Sequence, residues 1–125
     1  MQFTPGQALS DILQLDDQTV LVTGEKGMIL LGTREDGNQW SWTTVPPQTD
    51  ETLLSIAHAD YTLWVVGTGG VVLKSPDRGK TWIRVVIKDN DQRVTSTFRR
   101  IRFFGDEGWI LGEQILLKST RFADH

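Results

Sequence analysis

Few residues in this 125-residue chain have the type and spacing for covalent chemistry. It contains no Cys, which removes a thiolate nucleophile, a Cys-ligated zinc site and a disulfide framework together. Of its two His, His125 is the last residue and His58 lies between Ala57 and Ala59 in a strand-like run. A packed or channel-facing His58 is expected, since one His without ligand partners makes no metal site. The single Tyr, Tyr61, falls at a turn with no Glu placed to pair with it. Asp89-Asn-Asp91 opens like a calcium loop, but no Gly or closing Glu follows at the required spacing, so a solvated turn is expected over 88–93. Gly67-Thr-Gly-Gly70 lacks the Lys-Ser/Thr of a phosphate loop and precedes a strand, which makes it a tight hairpin turn. The expectation is a protein without catalysis, cofactor or metal.

Charge is the remaining chemical signal. The net charge of −3 divides unevenly. Residues 1–60 carry two basic and nine acidic side chains, and residues 61–125 carry eleven basic and seven acidic, which sums to −7 and +4. Arg93, Arg99, Arg100 and Arg102 cluster in the second half and are the candidate contacts for an acidic partner. The alternative is a solvated face balanced by the acidic half. Phe98-Arg-Arg-Ile-Arg-Phe-Phe104 mixes cations and aromatics as single-strand nucleic-acid binders do, yet it lacks the glycines of an RNA-recognition motif, and the chain is acidic. Strict alternation puts Arg99, Ile101 and Phe103 on one face and Phe98, Arg100, Arg102 and Phe104 on the other.

The elements that position these residues come in repeats. Thr19–Gly24, Gly27–Thr33 and Arg34–Trp40 correspond to Leu63–Gly67, Gly70–Ser75 and Pro76–Trp82, and then to Gly108–Gly112 and Ile115–Ser119. Gly37 to Gly79 and Trp40 to Trp82 are each 42 residues apart, while Ile12, Ile56 and Ile101 recur at 44 and 45. That period belongs to propeller blades. Runs of Val, Ile, Leu, Trp and Thr between Gly, Asp and Asn clusters give strands at 9–15, 19–23, 28–33 and 39–45, then 53–59, 62–67, 71–75 and 81–87, then 98–104, 108–112 and 115–119. The fold class is therefore all-β, with blades of four antiparallel strands at about 9–46 and 53–88 and an incomplete blade at 97–121. Pro46-Pro47 separates the first two units.

Ser75-Pro-Asp77-Arg-Gly79-Lys-Thr81-Trp82 supplies what a tight loop needs. Ser and Asp oxygens accept from nearby backbone N–H groups, Gly takes a positive φ, and Trp buries a large ring. Thr33, Glu35, Gly37 and Trp40 hold the same places in the first unit, where Glu35 should close the loop less well than an Asp. In the third unit Ser119 remains, but Arg121 and Ala123 stand where Asp and Gly belong. This pattern resembles the Asp-box of BNR-type repeats. With Leu63-Trp-Val-Val-Gly-Thr-Gly-Gly70 and Gly108-Trp-Ile-Leu-Gly112, the chain is similar, over about 9–121, to the photosystem II stability and assembly factor family of plants and cyanobacteria. The resemblance implies a seven-bladed propeller that acts without catalysis by binding a photosystem subunit. Asp-box repeats also occur in sialidases, which need an arginine triad from several blades and a Tyr with a Glu partner. A carbohydrate-binding module, with Trp42 or Trp109 stacking on sugar, is accordingly the alternative reading, and a structural part of a larger propeller is another.

Under three units cannot close a ring, because propellers hold about 4–8 blades. Two copies would supply about six under two-fold symmetry, so a homodimer is expected, with the acidic first and basic third units meeting. Gln2-Phe3-Thr4 would then complete the third blade as its outer strand, from residues 1–5 of the same or a partner chain. No apolar run reaches membrane-spanning length and no signal-peptide pattern opens the sequence. The expectation is a cytoplasmic protein without membrane insertion, or a lumenal one if a longer precursor carries it.

Overall fold

The computed structural model describes residues 8–35, 39–89, 92–105, 107–113 and 116–119. Short β-branched and aromatic runs form antiparallel hairpins because turn residues interrupt them every few positions. The first sheet takes β1 (Leu9–Asp16), β2 (Thr19–Gly24), β3 (Ile29–Thr33) and β4 (Ser41–Val45) in sequential order. The second repeats this with β5 (Leu53–Ala59), β6 (Thr62–Gly67), β7 (Val72–Ser75) and β8 (Ile83–Val85). A short hairpin of β9 (Lys88–Asp89) and β10 (Gln92–Arg93) follows, where the sequence led us to expect only a turn. The third sheet has β11 (Phe98–Phe104), β12 (Glu107–Gly112) and β13 (Leu116–Ser119). The fourth strands start later than expected, at 41 and 83, because Trp40 and Trp82 belong to the preceding loops. The expected outer-strand segment 1–5 lies outside the described residues.

The sheets stack face to face with the second in the middle. One core unites Leu15, Leu21, Ile29 and Val45 of the first sheet with Leu53, Ile56, Leu63, Val65, Leu73 and Trp82 of the second. Another unites Ala57, Trp64, Val66 and Val72 with Phe98, Ile101 and Ile110 of the third. Each such side chain contributes about 1.5–3 kcal/mol on burial, so the two inter-sheet cores hold the arrangement.

The inner strands depart from simple alternation at one repeated place. The register shifts between Leu9 and Asp11, between Leu53 and Ser55, and between Phe98 and Arg100. Each shift leaves one residue unpaired (Ser10, Leu54, Arg99), which is the geometry of a β-bulge. The bulge corrects the alternation assigned to 98–104. Phe98 and Ile101, placed by alternation on opposite faces, are buried in the same core. Leu53 and Ile56 do likewise one sheet earlier, while the corresponding Leu9 and Ile12 are exposed because no described sheet precedes the first.

Just beyond each bulge the sheets are clasped together. The Ile56 N–H donates to Asp11 Oδ2 at 3.0 Å, and the Ile101 N–H donates to Ser55 Oγ at 3.2 Å. Asp11 and Ser55 occupy equivalent positions, the first paired residues after the shift. The β6–β7 turn adds a backbone constraint, since Gly70 has φ +74° and a Cβ there would run into the Val94 carbonyl oxygen beside the third sheet. Replacing Gly70 with Ala is expected to destabilise the fold by about 1–3 kcal/mol from backbone strain alone, more if Val94 cannot move. Urea unfolding of Gly70→Ala, set against Gly105→Ala, where a Cβ meets nothing within 4 Å, checks that the clash adds to the cost of the positive φ common to both sites.

Candidate functional site

The bulges create the first candidate surface. Because Ser10, Leu54 and Arg99 fall out of register at equivalent points of adjacent strands, they come together instead of scattering between faces. With Arg100 and Leu111 they line a cleft of about 350 Å³. Leu111 is about half exposed beside these cations, so the surface combines apolar contact with positive charge. The Ser10 hydroxyl donates to the Leu53 carbonyl and fixes the wall between the first two sheets.

The four candidate arginines do not form one patch. Arg99 makes an exposed ion pair with Glu113 at 3.2 Å, an arrangement of little energetic weight. Arg100 is exposed, with no ion-pair partner among the described residues. Arg102 is drawn inward: its Nη1 donates to the Ile101 carbonyl at 2.8 Å and to Ser55 Oγ at 3.4 Å, across the junction of the second and third sheets. Arg93 stands apart on β10, and no hydrogen bond or ion pair joins it to the other three among the described residues. Sequence reasoning found the cations but missed the bulge that sorts them. The signal was present as an apolar pair three apart at the head of each unit: Leu9/Ile12, Leu53/Ile56 and Phe98/Ile101.

A second cleft, of about 310 Å³, crosses the inner strands and is lined by Asp11, Ile12, His58, Arg102 and Phe103 among others. His58 is exposed at this cleft, its Nδ1 2.8 Å from the Asp60 carbonyl oxygen, and is not packed in the core. Every polar side chain lining it is engaged: Asp11 by two backbone N–H groups, Arg102 by Ser55, His58 by Asp60. Tyr61 is no isolated nucleophile, since the Arg78 guanidinium covers its ring at 4.7 Å and pairs with Asp16. Among the described residues no three His, Asp or Glu side chains converge as metal ligands.

The 75–82 loop is closed from within. The Gly79 N–H donates to Ser75 Oγ at 2.8 Å, Ser75 Oγ donates to Asp77 Oδ1 at 2.9 Å, and the Thr81 N–H donates to the same carboxylate at 2.9 Å. Gly79 takes φ +95°, and the Trp82 indole N–H returns to its carbonyl at 3.0 Å, seating the ring in the inter-sheet core. In the first unit Thr33 ends β3, Arg34 stacks on Trp40 at 4.9 Å, and Glu35 makes no hydrogen bond among the described residues. Gly37 lies outside them. Trp42 packs over Gly32, leaving its ring half-buried instead of open to a sugar.

With that geometry in place, comparison with known proteins is direct. The profile of the family described as photosynthesis system II assembly factor YCF48 matches residues 3–94 and 36–124, spanning nearly the whole chain. The chain belongs to this family. The photosystem II assembly protein Ycf48 of Synechococcus sp. (strain JA-3-3Ab) is 46% identical over 56 residues, 44% of this chain and 16% of that relative. The photosystem II stability/assembly factor HCF136, chloroplastic, of Oryza sativa subsp. japonica is 36% identical over 55 residues, 43% of this chain and 12% of the relative. These matches thus span well under a fifth of the curated relatives' length. Among solved structures, YCF48 bound to D1 peptide superposes with a TM-score of 0.75 at 17% identity, over 96% of this chain and 38% of that one. The WD40 β-propeller domain of Doa1 gives 0.65 at 18%, over 84% and 34%. The family's fold is therefore present here as propeller blades of antiparallel strands.

Asp77 gives the loop a testable pH signature. Burial acts to raise its carboxyl pKa, but the hydrogen bonds from Thr81 and Ser75 outweigh it and hold the group below the ordinary value of 3.8. A carboxyl depressed in the folded state contributes stability above its unfolded pKa and loses it as pH falls through the folded one. Wild-type stability should therefore decline below pH 3.8, and Asp77→Asn should be less stable at neutral pH and lack that part of the acid decline. Thermal unfolding of both proteins across the acid range checks this.

Proposed function

We propose that this chain is a non-catalytic interaction scaffold that binds an acidic segment of a photosystem II subunit during assembly. The observation that carries the reading is the bulge-built cleft, which sets Arg99 and Arg100 beside Leu54 and Leu111 in a member of an assembly-factor family. Cations held next to apolar surface suit a peptide bearing carboxylates between apolar residues, because the charges steer encounter and the apolar contacts slow release. The D1 peptide bound by the structurally similar YCF48 supports a photosystem segment as the ligand. Arg93 and Arg102 belong to the same reading in different roles, Arg93 as a peripheral charge and Arg102 as a side chain that steadies the second and third sheets.

Non-catalysis is part of the proposal, supported by the way His58, Tyr61 and Asp11 are each tied to neighbouring groups. The hydrogen bonds of Ser75, Asp77, Gly79 and Trp82 support a structural role for that loop, with Thr33, Glu35, Gly37 and Trp40 as its counterpart in the first unit.

The experiment is a binding titration of fluorescent D1 segments against the purified chain. The double change Arg99→Glu and Arg100→Glu is expected to weaken binding by at least about tenfold, equivalent to about 1.4 kcal/mol. Wild-type affinity should fall as ionic strength rises, and the melting temperature should be nearly unchanged because the one ion pair lost is exposed. Affinity indifferent to both the substitutions and salt would sink the reading.

A further inference from the structure

Another cleft, of about 220 Å³, lies where the 75–82 loop meets the first sheet. Gln18, Thr19, Thr33, Arg34, Arg78 and Lys80 line it, and Glu35 is the one acidic side chain in its wall. It sits at the Asp16 end of β1, whereas the bulge cleft sits at the Ser10 end.

Packing pins the loop there. Gly79 lies so close to the first sheet that a Cβ would stand 2.5 Å from Leu21 Cδ2, and Leu21 belongs to the inter-sheet core. The side chains of Ser75, Asp77 and Trp82 are spent on closing the loop. Those of Arg78 and Lys80 take no part in the closure and are exposed. Arg78 adopts φ +66°, a left-handed conformation that a long side chain takes only at a cost in backbone strain. Loop closure does not call for it. The first unit has Asp36 and Asn38 at the sequence positions of Arg78 and Lys80, and Asp and Asn are the non-glycine residues that tolerate such turns best. What Arg78 adds is its guanidinium.

Both guanidinium groups of the cleft are held in place. Arg78 lies over the Tyr61 ring at 4.7 Å and pairs with Asp16. Arg34 lies over the Trp40 ring at 4.9 Å, and its Nε donates to the Asp17 carbonyl at 2.8 Å. Stacking sets the plane of each fork and one anchored nitrogen sets its rotation. The remaining N–H groups of both forks have no acceptor among the described residues, and the Lys80 ammonium has no hydrogen bond or ion pair among them.

We propose that this cleft binds the phosphoryl group of a phosphate monoester. Its three cations are carried by three different backbone positions, so their donors do not share one plane. A carboxylate offers two acceptor oxygens in a single plane, whereas a phosphoryl group offers three around a tetrahedron at a charge near −2. The Gln18 amide and the Thr19 and Thr33 hydroxyls add neutral donors to the same lining. The volume is below the range of about 300–1,000 Å³ typical of drug-sized ligands, which suits a small headgroup. The proposal is independent of the peptide cleft and stands or falls apart from the scaffold reading.

The test is an NMR titration of the full chain with inorganic phosphate, glycerol 3-phosphate and acetate at matched ionic strength. Saturable amide shifts are expected at 18–19, 33–35 and 78–80 with both phosphates, and at least about tenfold weaker binding of acetate. The double change Arg78→Gly and Lys80→Gln should weaken phosphate binding at least about tenfold while the fold is kept, because Gly takes a positive φ without strain. Lys80→Gln alone, which removes no contact among the described residues, serves if the double variant unfolds. Glu35→Gln should tighten binding by removing a like charge from the wall. Sedimentation with phosphatidylcholine vesicles, with and without phosphatidic acid, separates the two sources of the group. Capture by phosphatidic acid that the double variant loses assigns it to a lipid headgroup, and no capture assigns it to a soluble ester. Shifts that do not saturate, acetate binding as tight as phosphate, or phosphate affinity unchanged in the folded variants would each overturn the proposal.

Discussion

The structure depends on a single displaced residue at the head of each inner strand. A strand with unbroken alternation would turn Leu53 and Ile56, or Phe98 and Ile101, to opposite faces and leave one of each pair outside the core. The bulge turns both inward, so β5 and β11 each contribute two anchors to the core shared with the sheet before it. The same displacement aligns the backbone so that Ile56 and Ile101 can donate to Asp11 and Ser55. Core packing and the polar clasp are thus consequences of one register shift, and the sheets stack at a fixed relation because both must be satisfied together.

The cleft proposed to bind a partner is built from what the shift expels. Ser10, Leu54 and Arg99 are the residues that the bulge removes from the ladder, and they become a wall of the cleft. The repeat thereby turns equivalent positions into a surface while the rest of each strand stays committed to packing. Leu54 and Arg99 are free of the ladder pairing that fixes their neighbours, whereas Ser10 is tied to the Leu53 carbonyl. Cationic character is concentrated in the third unit, where Arg99 and Arg100 replace Ser10 and Leu54 or their neighbours Asp11 and Ser55. This separation of scaffold from surface is consistent with a fold shared by an assembly factor and a WD40 domain at under 20% identity.

Much of the architecture was legible in the residues themselves. The spacing of Gly37 and Gly79, of Trp40 and Trp82, and of the three Ile marked the units, and the strand limits over 53–59, 62–67 and 98–104 matched those observed. Ser75, Asp77, Gly79 and Trp82 announced a self-closing loop, and they close one. The short β9–β10 hairpin was hidden because its residues are polar and two-residue strands carry no periodic signal. The Arg cluster was visible as composition, but its division into a paired Arg99, an exposed Arg100, an inward Arg102 and an Arg93 on the separate β9–β10 hairpin was not.

The sequence by itself determined the repeat, the strand class and the loop chemistry, because these depend on residues within a few positions of one another. Local propensity, positive φ at glycine and short-range hydrogen bonding act before any sheet meets another. Only the tertiary structure decided which face each side chain takes after the bulge and which arginines are drawn inward. Those outcomes turn on contacts between residues more than forty positions apart, such as Asp11 with Ile56 and Ser55 with Ile101. A one-residue change of register reverses them without altering the hydrophobic composition of the strand.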